Sequence, residues 1–310
     1  MELSIISWNI RGLGKLEKLV AIRRLVLQEK PKILFIQETK LNNFTPVILR
    51  GLRCFQKFEK IFSPAVGSSG GLLTIWDPEF FTVTESLSFR RFIAIIGHFR
   101  GGQFMCGLVN VYGPSTDTEK LDFFREVLEF LRNHRVAWCL GGDFNAYISC
   151  EEKIGSAFNL ANMELFRAFI SEANLIDLPL KGGGFAWSNN KEVATFVRLD
   201  KFLVDDNFLV NFHELNQNLL PKSISDHNAI SLVNKGSAWG PKPFKLFNYL
   251  MELDGFEEVV VESLKQQKQR NNRLGILSLL KGTKSAIRVW TGKRNILQNG
   301  VIPQLEAKIF

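Results

Sequence analysis

An α/β fold built on mixed β-sheets is what this sequence predicts, and three observations carry it. Short apolar runs bounded by Gly, Pro, Asn and Asp recur through residues 1–235. Only three helical patterns interrupt them, too few for a regular alternation of strand and helix. The 310 residues are 45% hydrophobic and 23% charged, which is globular usage and excludes wholesale disorder. A chain of this length buries a core without disulfide staples.

The elements follow in order. Residues 3–7 read as the first strand. Residues 16–29 read as a helix with Leu16, Leu19, Val20, Val26 and Leu27 toward one side, stopped by Pro31. Strands are expected at 33–36, 72–76, 92–99 and 104–111. The Ser/Thr/Asp cluster before residue 121 suits a helix cap, so a second helix is placed at 121–132. A strand at 136–140 precedes a third helix at 162–172, which carries Leu165, Phe166, Phe169 and Ile170. Strands at 196–204 and 229–233 close the series. Then Lys235-Gly236-Ser237 and Gly240-Pro241-Lys242-Pro243 form a breaker-rich joint. The chain therefore divides into domains 1–235 and 236–310, the second mainly helical because Gln, Lys, Leu and Ile recur at helical spacing from Phe256.

Charge is unevenly spread. The net charge of +8 comes mostly from residues 236–310. Lys265, Lys268, Arg270, Arg273, Lys281, Lys284, Arg288, Lys293 and Arg294 lie there in a stretch with no acidic residue. Such a segment suits a polyanionic partner or a solvated helix face. The four cysteines, Cys54, Cys106, Cys139 and Cys150, include no C-x-x-C pair and no His at zinc spacing. MELSIISWN lacks a basic region before its apolar run, and no stretch reaches the ~20 apolar residues that span a bilayer. An intracellular, reducing setting without a membrane partner is expected.

Chemistry enters where polar residues end apolar runs. SIISWN ends at Asn9, KILFIQE at Glu38, GLVNVY at Asn110 and Tyr112, AWCLGGDFN at Asp143 and Asn145, and VRLD at Asp200. Asp226 and His227 come just before the last run. Taken singly, Glu38 reads as a solvated strand end, Asp143 and Asn145 as an Asx turn, His227 as a strand-entry cap and Tyr112 as a rim aromatic. Strand ends in an α/β protein meet along a rim, however. Carboxylates and amides there are oxygen ligands for a hard cation, and His, Asn and Tyr bond phosphate oxygens. Six coincidences of this kind are improbable in one chain, so together they favour a metal-dependent site.

These motifs resemble, in order and spacing, those of the endonuclease/exonuclease/phosphatase superfamily: Asn9 in SWNIRG, Gln37-Glu38, Asn110-Val111-Tyr112, Gly142-Asp143-Phe144-Asn145, Arg198-Leu199-Asp200 and Ser225-Asp226-His227. SWNIRGLG, VNVYGP, GGFAWSN, RLDKFLV and LPKSISDHNAI are similar to the endonuclease domain of plant non-LTR (LINE-type) retrotransposon polyproteins. AWGPKPFKLFNYL is similar to the segment that leads there into reverse transcriptase. The resemblance implies a four-layer sandwich of two packed mixed sheets flanked by helices, with a helical C-terminal extension. It departs in one place: Arg11 stands where abasic-site repair relatives carry Asp.

The resemblance further implies a Mg²⁺-dependent phosphodiesterase, with Mn²⁺ as a substitute, that nicks DNA and leaves 3′-hydroxyl and 5′-phosphate ends. Glu38, Asn9 and Asp226 would hold the metal. Asp143 would activate water with Asn145, His227 would face the phosphate with Asp200 behind it, and Tyr112 and Asn110 would donate to phosphate oxygens. Two alternatives stay open: a phosphoesterase acting on inositol phosphate, sphingomyelin or RNA, and an inactive fragment that only binds nucleic acid. No reverse-transcriptase motif occurs, so a reverse-transcriptase partner or a lost C-terminal domain is implied. A DNA substrate implies the nucleus, although no compact basic cluster marks an import signal.

Overall fold

A computed structural model describes residues 2–45, 48, 51, 57–67, 69–102, 104–189, 194–234, 255–270, 279, 280, 282–287 and 290. Contacts divide the chain into two compact units, residues 1–238 and 239–310. The expected joint at 235–243 lies outside the described residues, as do Cys54 and the basic residues Arg273, Lys281, Arg288, Lys293 and Arg294. In the second unit, α5 (Phe256–Arg270) forms where helical spacing was expected. None of the described helices is long and apolar enough to cross a membrane.

The first unit opens with β1 (Leu3–Asn9), α1 (Leu16–Glu29) and β2 (Ile33–Gln37). Four strands follow: β3 (Glu59–Val66), β4 (Ser69–Trp76), β5 (Phe81–Ser88) and β6 (Phe92–Phe99). Next come β7 (Met105–Tyr112), α2 (Asp117–Asn133), β8 (Ala137–Asp143), β9 (Lys153–Ile154) and α3 (Leu160–Glu172). Four short strands are β10 (Leu175–Asp177), β11 (Leu180–Lys181), β12 (Trp187–Ser188) and β13 (Phe196–Val197). The unit closes with β14 (Asp200–Asp205), α4 (Asp206–Asn211), β15 (Leu215–Leu219) and β16 (Ile230–Asn234).

These strands form a seven-stranded sheet, β11-β15-β16-β1-β2-β4-β3, and a six-stranded sheet, β10-β14-β8-β7-β6-β5. A small sheet, β12-β13-β9, stands beside them. Both large sheets are mixed: β1–β2 and β7–β8 run parallel, while β1–β16 and β8–β14 run antiparallel.

Period-two alternation decides the layers. Leu3, Ile5, Ile33 and Phe35 from one sheet meet Cys106, Leu108, Ala137, Cys139, Phe202 and Val204 from the other. The intervening residues Ile6, Trp8, Leu34 and Ile36 turn outward onto Leu19, Ile22 and Val26 of α1. On the far side, Val109, Val111, Trp138, Leu140 and Leu203 cover Phe124, Val127 and Leu131 of α2 and Phe166 and Phe169 of α3. Phe124 stacks on both Phe166 and Phe169, so part of the unusual Phe content goes into joining α2 to α3. The architecture is the expected four-layer α/β sandwich.

Several local expectations change. The buried stripe of α1 is Leu19, Ile22 and Val26, whereas Leu16, Val20 and Leu27 are exposed. The spacing i, i+3, i+7 makes that stripe narrow, and three apolar residues fall outside it. Helix α2 starts earlier than expected, at Asp117, with the Thr116 hydroxyl donating to Glu119 at 2.9 Å. Helix α3 starts earlier too, because Asn159 caps it by accepting from the Asn162 N–H.

The expected strand 196–204 is two strands in different sheets, β13 and β14, broken at Arg198 and Leu199. A buried ion cluster explains the break. Arg198 donates to Glu152 Oε1 at 2.7 Å and to Asp177 at 2.7 and 2.9 Å. The fully buried Lys201 ammonium lies 2.6 Å from Glu152 and 3.4 Å from Asp177. Burial lowers the Lys201 pKa, against the opposing pull of Asp177 and Glu152. The cluster persists because each charge has two partners. Lys201→Met would leave two buried carboxylates facing one guanidinium. We expect it to remove about 3–5 kcal/mol of stability, measured as a lower urea midpoint at an unchanged m-value.

Candidate active site

Along the faces where the two sheets meet, side chains change from apolar to polar toward one rim. On β1 the series is Leu3, Ile5, Ser7, Asn9; on β7 it is Cys106, Leu108, Asn110, Tyr112; on β8 it is Ala137, Cys139, Gly141, Asp143. On the antiparallel β14 the order reverses, so Asp200 comes before Phe202 and Val204. Every strand thus delivers its polar end to the same edge of the sandwich. Glu38 follows directly after β2, and Asp226 and His227 precede β16.

Backbone geometry sharpens this rim. Arg11, Glu38, Lys40 and Asn145 have φ of 54°, 50°, 55° and 49°, in the left-handed region that non-glycine residues seldom occupy. Such conformations persist only where neighbours over-determine them. Here the neighbours are visible: Gly12 N–H bonds Glu38 O at 2.6 Å, and Thr39 and Lys40 N–H bond the carbonyls of Gly71 and Gly70 at 2.9 and 3.0 Å. Gly71 itself has φ +85°, and a Cβ there would lie 2.3 Å from Thr39 Oγ1. The Glu38 turn rests against a glycine surface.

The side chains form one network. Asn9 Nδ2 donates to Glu38 Oε1 at 3.0 Å and to Asp143 Oδ2 at 2.9 Å. Asp143 Oδ1 accepts the Asn145 backbone N–H at 2.9 Å, and Asn145 Nδ2 donates to Gly113 O at 2.8 Å. His227 Nδ1 lies 2.8 Å from Asp200 Oδ2, and its Nε2 lies 3.8 Å from Asp143 Oδ2. The loop carrying His227 is fixed by Ser225, whose hydroxyl donates to Asn9 O at 2.8 Å and accepts the His227 N–H at 3.2 Å. Trp8 Nε1 donates to His227 O at 3.1 Å.

Charge in this network is set by burial and near neighbours. Burial disfavours a charged His227, but Asp200 and Asp143 outweigh it and raise the imidazole to about 9. Burial raises Asp143 to about 6, against the attraction of His227. Burial, with Glu38 and Asp143 nearby, pushes the Tyr112 phenol well up, so it stays a neutral donor. Burial would raise Asp226, but His227 and Arg11 bring it below the ordinary carboxylate range.

Among the described residues, Asp143, Asp200 and His227 have ligand-type atoms within 4.8 Å of one another. A protonated imidazole already supplies the cation of that trio, since both its nitrogens face carboxylates. Carboxylate oxygens of the kind a hard divalent ion takes also stand outside that trio, at Asp226 and, likewise against Arg11, at Glu38. That carboxylate is nearly buried, and its closest cations, Lys40 and Arg11, stand off at 3.7 and 3.8 Å.

The fold therefore brings Asn9, Glu38, Tyr112, Asp143, Asn145, Asp200, Asp226 and His227 to one rim. Asn110 is different. Its Nδ2 donates to Leu73 O at 3.1 Å and Thr74 Oγ1 at 3.2 Å, and its Oδ1 accepts from Gln37 at 2.7 Å. Fully buried and bonded through both its amide oxygen and nitrogen, it ties the two sheets together. Asp226 is also heavily bonded, to Arg11 at 3.1 Å and to Trp187 Nε1 at 3.0 Å. Ser225, Trp187, Trp8 and Lys40 were not singled out as site residues by sequence. Trp187 and Ser225 lie within GGFAWSN and LPKSISDHNAI, so only the motif resemblance could have marked them.

Residues 6–227 match the Endonuclease/Exonuclease/phosphatase family. The chain belongs to that family. A transposon TX1 uncharacterized 149 kDa protein from Xenopus laevis is 23% identical over 281 residues, which are 84% of this chain and 20% of that protein. The chain thus spans about a fifth of the length of this relative. Two solved structures share the Endonuclease/Exonuclease/phosphatase fold with it. The AP endonuclease LMAP from Leishmania major superposes with a TM-score of 0.62 at 17% identity, covering 76% of this chain and 88% of the other. The endonuclease domain of TRAS1, a telomere-specific non-LTR retrotransposon, gives 0.57 at 14% identity, covering 76% and 99%. Family membership makes the chain a nuclease or phosphoesterase of this superfamily, and the retrotransposon-type resemblance is supported by the TX1 and TRAS1 similarities. A plant origin is not shown.

The geometry of the Glu38 turn can be tested without any substrate. Gly71→Ala would place a methyl group against Thr39 in a left-handed backbone. We expect a loss of about 1–3 kcal/mol, read by urea denaturation.

Proposed function

We propose that this chain is a divalent-metal-dependent endonuclease that nicks DNA, of retrotransposon origin, leaving 3′-hydroxyl and 5′-phosphate ends. The observation that carries the reading is the unbroken chain of contacts Glu38–Asn9–Asp143–His227–Asp200 at one rim. It offers a proton acceptor, a fixed cation and an oxygen-ligand position side by side. The TX1 and TRAS1 similarities support DNA over inositol phosphate or sphingomyelin as substrate. A free 3′-hydroxyl is the end a polymerase extends, consistent with a reverse-transcriptase partner or domain.

Glu38 and Asn9 are the residues that would hold Mg²⁺, or Mn²⁺ in its place, with Asp226 beside them. The bound ion supplies Lewis-acid neutralisation of phosphate charge. The chain's own residues do the rest. Asp143 accepts a proton from the attacking water, and burial moves its basicity toward neutral pH. Asn9 and the Asn145 N–H fix the plane of that carboxylate. His227, held by Asp200, presents Nε2 as a charged donor to a phosphate oxygen as negative charge builds there. Tyr112 donates a neutral hydrogen bond to a phosphate oxygen. Water attacks phosphorus, the bond to the 3′ oxygen breaks, and that oxygen takes up a proton.

Glu38→Gln keeps the shape of the side chain and removes its charge. We expect at least about a hundredfold loss of Mg²⁺-dependent plasmid nicking, with thermal melting unchanged. Undiminished nicking would take Glu38 out of the site, and nicking that survives EDTA would remove the metal from the mechanism. A parallel assay on a phosphoinositide tests the alternative substrate class.

His227→Ala and Asp200→Asn should each slow nicking, the first by roughly 10²–10³-fold. Because Asp200 acts through the imidazole, the double variant should be little slower than His227→Ala alone. Fully additive losses would show that Asp200 serves another partner.

A further inference from the structure

Among the described residues, Arg11 is a cation, held at the rim between two carboxylates, that the proposed chemistry does not use. Its Nε donates to Asp226 Oδ1 at 3.1 Å, and an Nη nitrogen sits 3.0 Å from Asp226 Oδ2, so both carboxylate oxygens are engaged. The same Nε lies 3.8 Å from Glu38 Oε1. Its backbone N–H bonds Asn9 Oδ1 at 3.1 Å, and its φ of 54° turns the side chain back over the rim. Trp187 Nε1 at 3.0 Å takes a further lone pair of Asp226. Lys40 also approaches Glu38, at 3.7 Å, but through a single ammonium contact on a partly exposed side chain.

We propose that Arg11 is a positioning residue that acts as a built-in counter-cation of the Glu38 and Asp226 carboxylates, holding divalent-metal affinity down and keeping Asp226 out of the ligand set. The physical argument is competition. A guanidinium fixed between two carboxylates neutralises the charge that would draw in a metal ion and repels that ion when it arrives. Recruiting Asp226 as a ligand would also require breaking a two-point charge-assisted pair. The inference rests on the metal-dependent reading above and concerns affinity, not turnover.

Direct Mn²⁺ titration of the full chain, followed by electron paramagnetic resonance of the free ion, tests it. We expect Arg11→Gln to tighten the Mn²⁺ Kd about tenfold. Arg11→Lys, which keeps the charge, should stay within about twofold of the wild type, and adding Asp226→Asn to Arg11→Gln should remove most of the gain. Arg11 is 43% exposed at its side chain, so these variants should melt like the wild type, and Arg11→Met provides a second neutral variant. An unchanged or weaker Kd in folded Arg11→Gln or Arg11→Met overturns the inference, as does a gain that survives Asp226→Asn. The Glu38→Gln chain, titrated alongside, separates the two readings. If wild-type Mn²⁺ binding is indifferent to Glu38→Gln, the metal site itself is misassigned and both readings fall. If it depends on Glu38 but not on Arg11, only the present inference fails.

Discussion

Asp143 and Asp200 sit directly opposite each other on the paired strands β8 and β14, and both are buried. Two like charges at cross-strand positions would destabilise any sheet. His227 resolves the conflict by reaching across from the other sheet and placing its ring between them, one nitrogen toward each carboxylate. A proton on the ring puts a cation between the two carboxylates, and their attraction is what raises the imidazole pKa. The contact also joins the sheets at the edge where the apolar core ends. The proposed catalytic array is therefore a structural joint as well, and its parts cannot be changed independently.

Deeper in the sandwich, a second joint is entirely neutral. Ser7, Gln37 and Asn110 exchange hydrogen bonds between the sheets just below the rim, with Gln37 Nε2 2.9 Å from Ser7 Oγ. Asn110 is bonded through both its amide oxygen and nitrogen, and Gln37 through its Nε2, which limits the cost of burying these amides. The layer works as a transition from the phenylalanine-rich core to the charged edge. Polarity along each strand is graded: apolar, then neutral polar, then ionised.

That grading is what made the site legible in sequence. Asn9, Glu38, Asp143 and Asp200 each end an apolar run, and period-two alternation puts the strand residues among them on the same face as the preceding core residues. Asn110 stands one step inside the rim, and a polar residue there looks identical in sequence to one on it. Strand β15, LNQNL, gave no apolar signal. Its Gln217 is nonetheless fully buried, with its side-chain oxygen accepting the Phe202 N–H and its amide donating to Leu178 O at 3.1 Å. In VRLDK the apolar texture suggested one strand, whereas the ion cluster of Arg198 and Lys201 with Glu152 and Asp177 breaks it. Pairings between residues far apart in sequence carry no local pattern.

Electrostatics completes the account of the rim. Glu38, Asp143, Asp200 and Asp226 are carboxylates, and Arg11, Lys40 and His227 face them. The balance is slightly negative, which suits the proposed role of the rim in receiving a cation before a phosphate. A strongly negative rim would repel the phosphate backbone of a nucleic acid, and a neutral one would leave nothing to attract the cation. Distribution matters more than the total. Asp143 and Asp200 are neutralised from within by His227, Asp226 is engaged by Arg11, and Glu38 is paired with Lys40 and Arg11 at 3.7 and 3.8 Å. Membership of the Endonuclease/Exonuclease/phosphatase family fixes the scaffold for such a site without fixing its substrate. The identity of the residues that face Glu38 is where this chain sets its own terms.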